Sequence, residues 1–202
     1  MTAIRRILQS ISGRFPEMYP QLEQILEQPI LATLNDYGTD STDEGLTCLC
    51  ELIYNQQGIS ERMWNFFQHI SQSLLEDRGI LDSYLDSCFA YMINLMNKEP
   101  QNFKQLQFQN GTPLDITLQV GQKCFQLARE VKDDEILAIS VVSLFSSMLE
   151  NVEGVSQVVP GILQLLLNEL KLASTSQYQL MLMQGIMMNL WYDLGQTVTV
   201  LE

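Results

Sequence analysis

The residues of this chain whose types could do chemistry are four cysteines, one histidine and a run of three acids. Cys48 and Cys50 form a Cys-x-Cys pair, while Cys88 and Cys124 stand apart from it. Each helical residue advances about 100°, so the two thiols of that pair point about 200° apart. His69 alone could add an imidazole. Zinc is held by tetrahedral sets of thiolates and imidazoles, and this spacing assembles none. The thiols lie among apolar neighbours, in Cys48-Leu49-Cys50 and Cys88-Phe89-Ala90. They read as small buried hydrophobes in a reducing compartment.

His69 sits in Phe67-Gln68-His69-Ile70 with no adjacent Ser or Cys to activate, and so reads as a surface or groove residue instead of a base. No Gly-x-Gly-x-x-Gly turn or Walker loop occurs, so no nucleotide site is expected. Asp133-Asp134-Glu135 lacks the ligand spacing of a calcium loop. Three acids opening a helix are accounted for by the positive end of its dipole. No catalytic residue, metal or cofactor is expected, and the chain does not read as an enzyme. Met181, Met183, Met187 and Met188 fit either an adaptable groove or a core, with the core expected. Trp64 and Trp191 are core anchors or interface hot spots, and their apolar neighbours favour the core.

The charge says more about partners. In 202 residues there are 24 acids against 11 Lys and Arg, a net charge of -13 and a pI near 4.3. A protein that neutralises phosphates needs the opposite balance, so direct nucleic-acid binding is excluded. The distribution is uneven. Residues 1–14 carry three arginines and no acid, 15–61 carry nine acids and no base, 62–132 balance, and 133–202 carry eight acids against Lys171. The two acidic blocks are either solvated helix faces or a surface that steers a basic ligand. Candidate contacts for a basic partner are Asp36, Asp40, Asp43 and Glu44 in the first block, and Asp133, Asp134 and Glu135 in the second. No apolar run reaches the length of a signal peptide or of a membrane span, so no membrane partner is expected.

These residues must be positioned by helices, because nearly every segment has helical spacing. A first helix over 2–13 places Ile4, Ile7, Leu8 and Ile11 on one face. A second starts at Pro16, with Pro29 expected to kink or break it, and a loop follows over 36–43. A helix near 43–57 stops at Gly58. Ser60 caps the next, which carries Met63, Trp64, Phe67 and Ile70 to a stop at Gly79. A dense stripe over 80–97 and a short helix around Phe103 precede the turn at Asn110-Gly111. Thr112 caps a helix with Pro113 first and Asp115 third. The last three helices start near Asp133 or Asp134, near Gly154 and near Ser176, the first of them with a stripe of Ile136, Leu137, Ser140, Leu144 and Met148. Strand signals are confined to Val198-Thr199-Val200. The expected fold is all-α.

A bundle and a stacked solenoid both fit nine or ten such helices. Glu61-Arg62-Met63 aligns with Glu135-Ile136-Leu137, and Ile80-Leu81 with Val155-Ser156, at offsets of 74 and 75 residues. That is twice a helix-pair repeat of the HEAT and armadillo length. The favoured architecture is therefore an α-solenoid of antiparallel helix pairs spanning 1–202 as one segment. Its last helix is apolar all round and ends without a cap, where a terminal repeat normally has a polar outer face. The expectation is a segment excised from a longer chain.

Gly58-Ile59-Ser60-Glu61-Arg62-Met63-Trp64, then Asp77-Arg78-Gly79 and the Tyr84 helix, resemble the importin-β (karyopherin) superfamily, nearest to importins seven and eight. Val155 to Leu170 with Pro160 early in its helix, Gln184 and Leu190-Trp191-Tyr192 extend the resemblance over about 17–202. At Gln68 the family tends to have a proline, which leaves the Trp64 helix straighter here. The resemblance implies a C-terminal HEAT-repeat region of a nuclear import receptor that carries protein cargo, expected to be basic, between cytoplasm and nucleus. Ran GTPase and nucleoporins would engage the full-length receptor, and no residue here is assigned to them. The alternative is an architectural solenoid scaffold that mediates protein–protein interaction without touching cargo.

Overall fold

The computed structural model describes residues 2–11, 14–35, 41–56, 58–76, 84–130, 135–152 and 154–193. These residues are all-α, and the one β pairing among them is an isolated bridge between Phe108 and Gly111. The chain divides into two compact units, Met1–Glu99 and Pro100–Glu202.

The first unit contains α1 (Thr2–Ile11), a 3₁₀ turn (Pro16–Met18), α2 (Tyr19–Asn35), α3 (Ser41–Asn55), α4 (Glu61–Leu75) and α5 (Leu85–Lys98). α3 packs against α1, α2 and α5, and α2 also meets α4. Helices two apart in the chain therefore lie side by side. Pro29 does not break α2. The inner face of that helix, with Leu26 before the proline and Ile30 and Leu34 after it, is buried on both sides. Burial worth about 1.5–3 kcal/mol per side chain outweighs the roughly 3 kcal/mol that an interior proline costs. Ser60 caps α4 by accepting a hydrogen bond from the Met63 amide at 3.3 Å, as its position before Glu61 predicts. α4 ends at Leu75, not at Gly79, and Glu76 forms its C-cap. The loop expected over 36–43 is shorter than that, since Ser41, Thr42 and Asp43 already belong to α3; residues 36–40, the Gly79 turn and the first residues of the stripe at 80–83 lie outside the described residues.

Glu23, at 2% exposure, is the polar centre of this unit. Its carboxylate accepts from Gln56 Nε2 at 2.7 Å and from the Ser60 hydroxyl, with Arg62 Nη1 at 3.8 Å. Arg62 Nε reaches on to Glu27 at 3.0 Å. One carboxylate thus ties α2 to the end of α3 and the start of α4. Two buried tyrosines add further links: Tyr19 Oη donates to the Leu8 carbonyl and Tyr91 Oη to that of Met63 at 2.5 Å. The apolar periodicity shows none of these three residues as polar links.

The second unit contains α6 (Pro100–Gln105), α7 (Pro113–Glu130), α8 (Glu135–Asn151), α9 (Val159–Leu172) and α10 (Ser176–Tyr192). Pairs adjacent in sequence, α7 with α8 and α9 with α10, are crossed by contacts of α8 with α10 and α7 with α9. Gly111 has φ of +115°, which glycine adopts without a Cβ penalty, and it exchanges backbone bonds with Phe108. Thr112 and Asp115 then form the reciprocal cap: the Asp115 amide donates to the Thr112 hydroxyl at 3.1 Å, and the Thr112 amide donates to the Asp115 carboxylate at 3.0 Å. Of the stripe expected for α8, Leu137, Leu144 and Met148 are buried and Ser140 is half-buried, but Ile136 stands outside the buried face. Ile136 is 72% exposed, and Leu137, Val141, Leu144 and Met148 are the buried set. Both rows have helical spacing, and the position of α7 and α10 decides between them. Ile7 on α1 is likewise exposed where an inward face was expected.

The α7–α8 contact depends on a missing Cβ. Gly121 lies against the Phe145 ring, which an added methyl group would overlap, whereas a Cβ at Gly161 of α9 meets nothing within 4 Å. Both positions are helical, so alanine gains about 1 kcal/mol of propensity at each, but at Gly121 overpacking costs about 1–3 kcal/mol. Urea unfolding is expected to show Gly161→Ala stabilised and Gly121→Ala destabilised. Phe145→Leu in the Gly121→Ala background should restore part of the loss.

Candidate functional site

Of the seven acids proposed to meet a basic partner, Asp36, Asp40, Asp133 and Asp134 lie outside the described residues. Glu135 opens α8, its side chain likewise outside them. Asp43 and Glu44 stand in the first turn of α3, where a carboxylate favours the positive end of the helix dipole. Asp43 is exposed, and its Oδ1 accepts a hydrogen bond from the Ser87 hydroxyl of α5 at 2.5 Å. Glu44 is half-buried. Asp43 thus joins α3 to α5 as well as facing solvent.

Two arginines pair with carboxylates of neighbouring helices. Arg62 is held by Glu23 and Glu27, as described above, and in the second unit Arg129 Nε on α7 meets Glu169 Oε2 on α9 at 3.3 Å. Glu169 is 5% exposed. Burial raises its pKa, and the nearby Arg129 guanidinium opposes that shift. Glu17, Glu61, Glu130 and Glu150 meanwhile occupy exposed positions, as do Arg6, Arg14 and Lys171.

A groove of about 740 Å³ opens between α8 and α10, lined by Val142, Ser143 and Ser146 on one side and Leu180, Met183 and Met187 on the other. This corrects the expected placement of the methionines in a core. Met183 and Met187 are exposed, Met181 and Met188 half-buried. Trp64 is a core anchor at 5% exposure, but Trp191 is 90% exposed. The reason lies in α10 itself, which is apolar around much of its circumference while only one side meets α8 and α9. A second cavity of about 320 Å³ in the first unit is lined by Pro16, Glu17, Pro20, Gln56 and Gly58.

Nothing in the cysteine settings favours a thiolate. Cys48, Cys88 and Cys124 are buried, whereas Cys50, expected to be buried, is half-buried. Burial pushes the Cys48 thiol up to about 11, helped by Glu44, and the Cys50 thiol up to about 11 against a hydrogen bond from Asn94. Among the described residues no group of three or more His, Cys, Asp and Glu is placed to hold a metal ion, and no helix is long and apolar enough to cross a membrane.

His69 is half-buried in α4, and its Nε2 is buried without a hydrogen-bond partner among the described residues. Burial lowers its pKa below the ordinary 6.5, with Glu76 opposing. The folded protein therefore favours neutral imidazole. The stability this contributes is complete above pH 6.5 and is lost as the unfolded chain takes up its proton first on acidification. Because the chain has one histidine, a His69→Gln variant isolates it. Urea titrations between about pH 7.5 and 5 should show a shallower loss of stability in the variant than in the parent. Equal slopes would place the imidazole in an environment no different from water.

A scan against family models, a search of curated proteins and a search of solved structures each found no match to this chain.

Proposed function

We propose that this chain is a helical-repeat segment of an importin-β-type nuclear transport receptor and that its acidic surface binds basic protein cargo. The observation that carries the reading is the acidic excess of the chain, 24 acids against 11 bases, with Glu17, Asp43, Glu61, Glu130 and Glu150 exposed. A low-dielectric scaffold with one sign of surface charge steers ligands of the other sign.

The finer architecture proposed is an α-solenoid of antiparallel helix pairs. Its support is the recurrence of contacts two helices apart, α1–α3–α5 and α2–α4 in one unit and α7–α9 and α8–α10 in the other, which is how helix pairs stack in repeat arrays. The receptor assignment, with its cytoplasmic and nuclear shuttling and its Ran and nucleoporin partners in the full-length protein, rests on the sequence resemblance.

The hydrogen bond from Ser87 to Asp43 and the half-buried state of Glu44 favour a second reading, in which those acids hold α3 to α5 and the segment is an architectural scaffold. Binding of a Lys- and Arg-rich peptide separates the two. Under the cargo reading, affinity falls about tenfold or more between about 0.05 and 0.5 M NaCl. Asp43→Asn with Glu44→Gln weakens it severalfold, and a neutral peptide of the same length does not bind. Binding indifferent to both salt and these substitutions, or no binding at all, leaves the scaffold.

A further inference from the structure

The exposed apolar residues of the second unit are not scattered. On α10, Leu180, Met183, Met187 and Trp191 follow one another at spacings of three and four, which at about 100° per residue keeps them within one side of the helix. On α8, Ile136 and Ile139 lie on the same side as the serines that line the groove, by the same arithmetic. α8 and α10 pack together, so the two rows flank one groove. Their exposures run from 41% at Ile139 to 90% at Trp191. At about 200 Å² for a whole tryptophan and somewhat less for Leu, Ile or Met, this amounts to roughly 600 Å² of apolar surface. A patch of that size exceeds what scattered surface residues give and approaches the ~800 Å² that each partner brings to a standard interface.

Charge selects the occupant. α10 has no Asp, Glu, Lys or Arg in its seventeen residues, and the acids of the two helices stand at their ends, Glu135 and Glu150 on α8 and Asp193 at the C-cap of α10. Two copies of a chain of net charge -13 repel wherever acidic faces meet. The α8–α10 face is where they can approach with little such opposition. We propose that it is the interface of a homodimer, with α10 of one copy set against α10 of the other across a two-fold axis. A two-fold contact uses the same patch on both copies, and flexible methionines at its centre allow self-complementary packing.

This inference is independent of the cargo reading, and salt separates them by sign. Added salt weakens the attraction of a basic peptide but screens the repulsion between two acidic copies, so dimerisation should strengthen from about 0.05 to 0.5 M NaCl. Sedimentation velocity over about 1–200 µM is expected to show monomer giving way to dimer, with Trp191 becoming less accessible to acrylamide as the dimer forms. Met183→Glu with Met187→Glu should raise the midpoint concentration at least tenfold with the helical circular dichroism retained, since both side chains are exposed and Glu is a good helix former. Trp191→Ser, at a position too exposed to contribute to the core, should weaken the dimer as well. Ile25→Glu, on an exposed apolar residue of the first unit, should leave it unchanged. A single 23.1 kDa species at every concentration, a dimer indifferent to the α10 substitutions, or equal sensitivity to Ile25→Glu overturns the proposal.

Discussion

A carboxylate buried between helices and met by an arginine is the arrangement on which both units depend. Glu23 holds the first unit at the junction of α2, α3 and α4, and Glu169 holds α9 to α7 in the second. Isolated buried charges are costly, and truncating one partner of such a pair typically costs about 3–5 kcal/mol. Glu23 meets that demand with three different donors: an amide, a hydroxyl and a guanidinium. The arrangement also fixes register. The Ser60 hydroxyl caps α4 and also reaches Glu23, so α4 cannot slide along α2 without losing the bonds of Ser60 and Arg62 to that helix.

Arginine suits such pairing because its planar fork stays charged and loses less freedom per bond than lysine. Tyr19 and Tyr91 serve the interior without drawing on charge at all, since each buries a ring and passes its hydroxyl to a carbonyl of a neighbouring helix.

The all-α class, the Ser60 and Thr112 caps, the Gly111 turn and most helix positions were legible because caps, glycines and a 3.6-residue period are local properties. What was not legible is set by neighbours far away in sequence. Ile136 and Leu137 are both strongly apolar, and only the places of α7 and α10 put one in water and the other in the core. Trp191 and the α10 methionines misled for the same reason: a helix apolar on many sides reads as buried until it is known how many sides have partners. Glu23 gave no signal, because an acid within the stripe of α2 reads as an interruption of the apolar pattern. Its relation to Gln56 and Ser60, more than thirty residues away, could have been sought by asking what satisfies that interruption. The acidic candidates were legible as charge and not as geometry: the bond of Asp43 to Ser87 joins residues more than forty apart in the chain.

An acidic exterior and an apolar helix face are complementary and not in conflict. Apolar surface alone is indiscriminate: roughly 600 Å² of methionine, leucine, isoleucine and tryptophan would adhere to any similar patch. Like charge spread over the remaining faces raises the cost of every approach that brings acids together and lowers it relatively where they are absent. The flanking serines and Gln184 give that face hydrogen-bonding groups that hydrate readily when uncovered, so it can stay in water without demanding burial. Net charge thus does for this protein what a polar capping helix does elsewhere. It confines association to one side, and it makes the outcome depend on ionic strength as well as on shape.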